Sequence, residues 1–371
     1  LTEETKAAAP ELFIGLMSGT SLDGVDAVLA EFGAAAPKAI ATHYAPFPSE
    51  LKARLLALHE PAHNEIHHAA LAGNELARLY YEAVAALLRQ TNLSPAAVRA
   101  IGCHGQTVRH HPQSGYTLQL NNPSLLAELS GIPVVADFRS RDIAAGGQGA
   151  PLVPAFHDAV FRSPAVHRIV LNIGGIANVT DLKPGAGTRG FDCGPGNILL
   201  DAWAQRHLGQ PYDDGGRWGA RGTIIPPLLG MLRAHHFFSA APPKSCGREQ
   251  FNLRWVESNL AGNDSGPDVQ ATLLELTATT IADAISRWCG IPAELVVCGG
   301  GAHNLALMER LAALQPQARV VKSDELDIGA DWVEAFAFAW LARQAMHSRP
   351  GNLPEVTGAR GPRILGAIYP A

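Results

Sequence analysis

Residues Ser18 to Asp26 read S-G-T-S-L-D-G-V-D, three hydroxyls, two glycines and two carboxylates within nine positions. Glycines in a turn let backbone N–H groups come close to an anion, and the Ser and Thr hydroxyls add donors. A carboxylate at Asp23 or Asp26 repels phosphate, so its presence makes sense when Mg2+, held through water, stands between the two. The same run reads equally well as a polar hairpin tip with Asx-type turns.

Further glycine turns occur at Gly174-Gly175 and at Gly299-Gly300-Gly301. The first is weak alone. In the second, an apolar run ends in three glycines and is followed by helical periodicity, so a flat ligand could lie against bare backbone. Neither G-x-G-x-x-G nor G-x-x-x-x-G-K-[ST] is present, which disfavours the dinucleotide and Walker-type nucleotide folds. Asp192, in F-D-C-G-P-G-N, is expected at a strand end, too early to cap the helix that Asn197 should cap. Facing open space, this carboxylate is a general-base candidate; taken alone, a turn-stabilising Asp is the commoner reading. His104, His110 and His111, and His235 and His236, lack Cys or carboxylate partners at zinc-site spacing. No G-x-S-x-G elbow marks a serine hydrolase.

These residues need strands and helices to hold them. Apolar runs at 12–17 and 25–32 flank the first polar turn and predict a β-hairpin; 168–173 and 176–180 repeat the pattern around Gly174-Gly175. The echo suggests two duplicated α/β halves. Helical periodicity covers 49–59, 65–90, 123–130, 198–208, 268–288 and 332–346, and further strands are expected at 100–103, 116–120, 133–136, 294–298 and 318–321. Alternating strands and helices argue for mainly parallel sheets covered by helices. The domains are expected at 11–150, completed by the helix from about 332, and at 151–331.

With 371 residues, 47% hydrophobic and 17% charged, the chain suits two globular domains. A formal net charge of -5 argues against nucleic-acid binding. The five cysteines are scattered without a C-x-x-C pair, as expected of reduced thiols. The first ten residues carry no apolar secretion core, and no run reaches the roughly 20 apolar residues of a membrane span. A cytoplasmic protein with no membrane partner is expected.

Taken together, S-G-T-S-L-D-G-V-D, N-I-G-G-I-A-N-V and V-C-G-G-G-A-H-N resemble the phosphate and adenosine loops of the actin-like sugar kinase and Hsp70 ATPase superfamily. H-G-Q-T (104–107), V-A-D-F-R (135–139), A-A-G-G-Q-G-A-P-L-V-P (144–154), F-D-C-G-P-G-N (191–197) and E-A-F-A-F-A-W-L-A (334–342) narrow this. The chain resembles the anhydro-N-acetylmuramic acid kinases from about Leu12 to Ala371. The resemblance implies an α/β fold of two ribonuclease H-like, actin-type ATPase domains with a central active-site cleft. It implies ATP and Mg2+, a homodimer, and a 1,6-anhydro sugar opened and phosphorylated at O6 in cell-wall recycling. It places the ATP-phosphate loop on Gly19, Thr20, Ser21, Leu22, Asp23, Gly24, Val25 and Asp26, with Asp23 on the metal side through water. It adds Gly174, Gly175 and Asn178 as the second loop, Gly299, Gly300, Gly301 and Asn304 as the adenosine side, and Asp192 as the catalytic base. His104, Gln106, Asp137, Arg139, Gln148 and Glu334 form a polar set expected to line the sugar pocket. An ATP-binding assembly module of the same fold, or a kinase of ordinary hexoses, stays open at this level.

Overall fold

The computed structural model describes residues 9–19, 22–33 and 36–371. The chain divides into two compact units: residues up to Val160 together with Trp332–Ala371, and Phe161–Asp331.

In the first unit, β1 (Glu11–Met17), β2 (Gly24–Phe32) and β3 (Lys38–Pro46) form an antiparallel meander. Helices α1 (Ser49–Ala57) and α2 (Glu65–Thr91) follow, then β4 (Val98–Cys103), which lies parallel to β1 on its other side. A small hairpin, β5 (Gln106–His111) with β6 (Tyr116–Leu120), and α3 (Pro123–Ser130) lead to β7 (Val134–Ala136), parallel to β4. Short α4 (Ser140–Ala144) and α5 (Val153–Phe161) end this stretch.

The second unit repeats the plan. Antiparallel β8 (Arg168–Ile173), β9 (Ile176–Leu182) and β10 (Arg189–Pro195) are followed by α6 (Ile198–Leu208). After α7 (Pro226–Arg233), α8 (His236–Ser239) and α9 (Leu253–Glu257) comes the long α10 (Gly266–Trp288). Strand β11 (Glu294–Cys298), α11 (Leu305–Leu314) and β12 (Arg319–Lys322) complete it. The chain then returns to the first unit as α12 (Val333–Met346), α13 (Pro354–Thr357) and β13 (Ala367–Tyr369), the last antiparallel to β7.

Among the described residues the two large sheets run β13-β7-β4-β1-β2-β3 and β10-β9-β8-β11-β12. Leaving out β13, both have the order 3-2-1-4-5, with the first three strands antiparallel and the last two parallel. This is the ribonuclease H-like arrangement of actin-type ATPases. The expectation of mainly parallel sheets is corrected to mixed ones. Short loops between β1, β2 and β3, and between β8, β9 and β10, can only reverse the chain, whereas α2 and α10 cross over and restore the direction.

Over Ala335–Ala342 (A-F-A-F-A-W-L-A) helix α12 is apolar all round and is correspondingly buried on every side. Its backbone lies directly on the sheet because Gly15 of β1 and Gly102 of β4 face it: a Cβ on either would overlap the carbonyl oxygen of Ala335 or Phe338. Phe336 packs edge-on against Phe32, with centroids 5.5 Å apart, and Phe338 lies 5.5 Å from Phe138. Each such ring contributes roughly 1.5–3 kcal/mol by burial. The other face of this sheet is filled from α2, through Leu76, Tyr80, Val84 and Leu87.

Candidate active site

In the second unit three glycine turns meet around Ile173, at the end of β8. Gly196 and Ile198 donate to the Gly175 carbonyl (2.9 and 3.1 Å), and Asn197 donates to that of Gly174 (2.8 Å). A Cβ on Gly196 would overlap the Gly174 oxygen, and one on Gly301 would overlap the Ile173 side chain. Gly299, at φ 79°, is pressed against Asn172 and Ile173. The structure thus brings Gly174, Gly175, Gly299, Gly300 and Gly301 to one place. Asn304 caps α11 by accepting from the Leu307 N–H (3.1 Å). Asn178, on β9, pairs in register with both Asn172 and Asp192. Asn197 does stand at the start of α6, but its amide donates to the Ile173 carbonyl (3.2 Å) instead of capping the helix. Holding the turn closed has taken the side chain away from the cap.

Asp192 lies inside β10, not at its end, and the ladder with β9 slips by one residue just after it. A bulge of this kind re-aims the neighbouring side chain. Oδ2 accepts the Cys246 N–H at 3.0 Å, and the Asp192 N–H donates to the Lys244 carbonyl at 3.1 Å. No described residue donates to Oδ1, which leaves that oxygen able to take a proton. Burial lifts the carboxyl to about 6, against the opposing pull of the Cys246 N–H and the Lys244 ammonium. A base in that range is half-ionised near pH 6 and mostly ionised, ready to accept a proton, at neutrality.

The segment that reaches Asp192, from α8 to α9, carried no signal in sequence beyond a scatter of aromatics. Phe237, Phe238, Phe251 and Trp255 pack together there, with Phe238 and Phe251 stacked at 5.5 Å. Phe238 fills the space beside Gly194, where a Cβ would come within 2.6 Å of its ring.

In the first unit, Thr20 and Ser21 lie outside the described residues. Around them, Leu22 is buried at φ 59° and donates to the Gly19 carbonyl (3.3 Å), while Gly24 and Val25 enter β2. The hairpin tip is anchored from behind. Ser18 Oγ lies 2.9 Å from Tyr80 Oη and donates to the Gly105 carbonyl, and Gln106 Nε2 donates to the Gly19 carbonyl (3.1 Å). The buried Gln106 Oε1 has no donor among the described residues. His104 Nε2 accepts from Arg139 (2.9 and 3.1 Å), and Arg139 also holds the Gly149 carbonyl at 2.8 Å. Burial, then the Arg139 charge, keeps His104 neutral; burial raises the Glu334 carboxyl while Arg139 opposes the rise. His104, Gln106 and Arg139 are therefore joined to the hairpin tip. Asp137 instead lines an open cavity of about 690 Å3 with Arg141 and Arg363. Gln148 is exposed, in a loop tied down by its N–H to the Thr357 carbonyl (2.8 Å) and by the buried Asp142 carboxylate, which accepts the Gly149 N–H.

Asp23 pairs with Lys52 at 3.0 Å, largely in solvent, so the pair is weak. After burial, Asp23 and Asp26 are the groups that raise the Tyr44 phenol, so both carboxylates stand near one point. Two oxygen-donor side chains fit a Mg2+ that keeps most of its waters. Among the described residues no three His, Cys, Asp or Glu side chains gather as a metal cluster, and no described helix is long and apolar enough to cross a membrane.

The family model described as anhydro-N-acetylmuramic acid kinase matches residues 11–371. The chain is 59% identical over 365 residues to the protein of that name from Thiobacillus denitrificans, covering 97% of this chain and 98% of the relative. It is 58% identical over 361 residues to the one from Nitrosospira multiformis, covering 97% and 99%, and 56% identical over 367 residues to the one from Bordetella pertussis, covering 97% and 96%. Among solved structures it is similar to component A of the (R)-2-hydroxyglutaryl-CoA dehydratase of Acidaminococcus fermentans, at 15% identity and TM-score 0.45, covering 89% of this chain and 96% of that one. A ROK family glucokinase from Streptomyces griseus, solved with glucose and AMPPNP, matches at 14% identity and TM-score 0.40, covering 90% and 99%.

Proposed function

The chain belongs to the anhydro-N-acetylmuramic acid kinase family, and on that premise we propose that Asp192 is the single base of a ring-opening phosphorylation. The protein is a kinase of peptidoglycan recycling. It takes 1,6-anhydro-N-acetylmuramic acid, ATP and water to N-acetylmuramic acid 6-phosphate and ADP.

Opening an anhydro bridge as a glycosidase does takes two carboxylates, one to activate water and one to protonate the leaving oxygen. Here the leaving oxygen is O6, which itself becomes phosphorylated. In the proposed step Asp192 Oδ1 takes a proton from water as that water bonds to C1. The C1–O6 bond breaks, O6 bonds to the γ-phosphorus of ATP, and ADP leaves. The base then returns its proton to solvent. No acid is consumed at O6, so one base balances the reaction.

The observation that carries this reading is Asp192 itself: a carboxyl lifted to about 6, one oxygen pinned and the other without a donor among the described residues. Phosphoryl transfer needs little more than positioning and neutralised charge. The glycine turns at 174–175 and 299–301 would supply N–H groups at the phosphates and bare backbone at the adenosine. Gly19 to Asp26 would hold phosphate in the first unit, with Asp23 and Asp26 on Mg2+ through water. Mg2+, when bound, supplies neutralisation of phosphate charge. His104, Gln106, Asp137, Arg139, Gln148 and Glu334 are the proposed sugar-side residues, Gln106 with most support because its buried Oε1 still needs a donor. Five free cysteines suit the reducing cytoplasm, where ATP also is; a homodimer completes the proposal.

With ADP and the ring-opened 6-phosphate both followed, kcat/KM should fall about tenfold per pH unit below about 6 and level off above it. A rate flat from pH 5 to 8, or phosphorylation of ordinary hexoses with the anhydro sugar left closed, would overturn the assignment.

A further inference from the structure

We infer that the segment from Lys244 to Cys246 is the positioning element of Asp192, with the Cys246 N–H fixing Oδ2 and the Lys244 side chain tethered so that its ammonium stays beside the strand that carries the carboxylate. The inference rests on the proposed role of Asp192 only where it concerns rate.

Two hydrogen bonds hold the segment to Asp192, one through its backbone and one through its side chain: Asp192 N–H to Lys244 O at 3.1 Å, and Cys246 N–H to Asp192 Oδ2 at 3.0 Å. The Lys244 side chain does not wave in solvent. Its Nζ donates to the Phe237 carbonyl at 3.1 Å and lies 4.5 Å above the centroid of the Phe237 ring. Phe237 is buried in the cluster with Phe251 and Val256, so the charge is held by the core of the inserted region. The neighbouring Phe238 ring occupies the space that Gly194 leaves open, two residues past Asp192. The segment therefore grips the bulged strand through two hydrogen bonds and an aromatic ring, and Asp192 Oδ1 is left over.

The groups that face Asp192 are few. Cys193 on its own strand and Cys246 on the segment are both thiols driven up by burial, hence neutral near pH 7. Among the described residues the Lys244 ammonium is the charge that acts on Asp192, and burial is what it opposes. Burial alone disfavours the ionised carboxylate; a cation fixed nearby favours it and so brings the base into a useful range. A neutral side chain at 244 that still donates to the Phe237 carbonyl would keep the tether and remove the charge.

Lys244→Gln is that variant. In full-length protein carrying 13C-labelled aspartate carboxyls, the Asp192 resonance is identified by its loss in Asp192→Asn. Its titration midpoint should rise by at least about half a pH unit in Lys244→Gln and stay near the wild-type value in Lys244→Arg. The acid limb of kcat/KM should move up with it, because removing a cation makes the carboxyl harder to ionise. A midpoint within about 0.2 pH unit of wild type in Lys244→Gln, with the other aspartate resonances unmoved, overturns the inference. Should Lys244→Gln fail to fold, Lys244→Met, which removes charge and tether together, is set against Lys244→Arg, which keeps both, with the same thresholds. A midpoint that rises while the acid limb stays fixed supports the positioning role and sinks the role of Asp192 as base.

Discussion

Asp192→Asn should leave ATP and the anhydro sugar bound with near-normal affinity while lowering turnover by about 10^2- to 10^4-fold, the usual range for loss of a general base. Asparagine has nearly the shape of aspartate, and its carbonyl oxygen can still accept the Cys246 N–H, so ground-state geometry survives. What disappears is the oxygen that takes the proton. The same variant should be more stable than wild type at neutral pH. A carboxyl lifted from 3.8 to about 6 carries on the order of 2–3 kcal/mol of unfavourable ionisation. The sign follows from proton counting: between about 4 and 6 the folded wild type binds more protons than the unfolded chain, so its stability falls as pH rises through that window. Urea unfolding should show the advantage of Asp192→Asn in full above about pH 6 and shrinking towards zero below about pH 4. A slow but destabilised variant would point to a structural role for Asp192; a fast one would end its role as base.

The second large effect belongs to the fold. Gly102→Ala or Gly15→Ala should each destabilise the protein by at least about 3 kcal/mol in urea unfolding. In both cases the new methyl meets backbone of α12, the Phe338 or Ala335 carbonyl, and backbone cannot turn aside as a side-chain end can. The helix would have to lift off β1 and β4, forfeiting the packing of Phe336 and Phe338 as well. Gly187→Ala is the matching control, because an added Cβ there meets nothing within 4 Å and the backbone is unstrained. It should lie within about 0.5 kcal/mol of wild type. Equal effects at positions 102 and 187 would mean that close approach of α12 is not what those glycines provide.

These glycines also show what the sequence made legible. Hairpins around 18–26 and 174–175 could be read because apolar alternation stops abruptly at turn residues, and β1, β2, β8 and β9 stand where that pattern put them. The three glycines after β11 were likewise legible, since nothing else explains their adjacency to a buried strand. Strand β3 was not, because it is an edge strand with a single buried residue, Ala45, and no apolar face to mark it. Strand β10 carries two glycines, a proline and a bulge, each of which breaks the strand pattern, and the bulge falls just after Asp192. The role of Asn197 was misjudged because a nearby carbonyl competes with its own helix for the side chain. Lys244 and Cys246 lie more than fifty positions from Asp192, and no local pattern reports a contact at that distance. What supports the carboxylate was therefore invisible, although the carboxylate itself was not.

The most direct measurement is the anomeric form of the first product, read by rapid 1H NMR in a single turnover before mutarotation. The anhydro bridge occupies the β face, so water delivered by Asp192 opposite the departing O6 must give the α-anomer of the 6-phosphate, with inversion. Formation of the β-anomer, or of ring-opened sugar without phosphate, would contradict a single step in which one base hydrates C1 as O6 is phosphorylated.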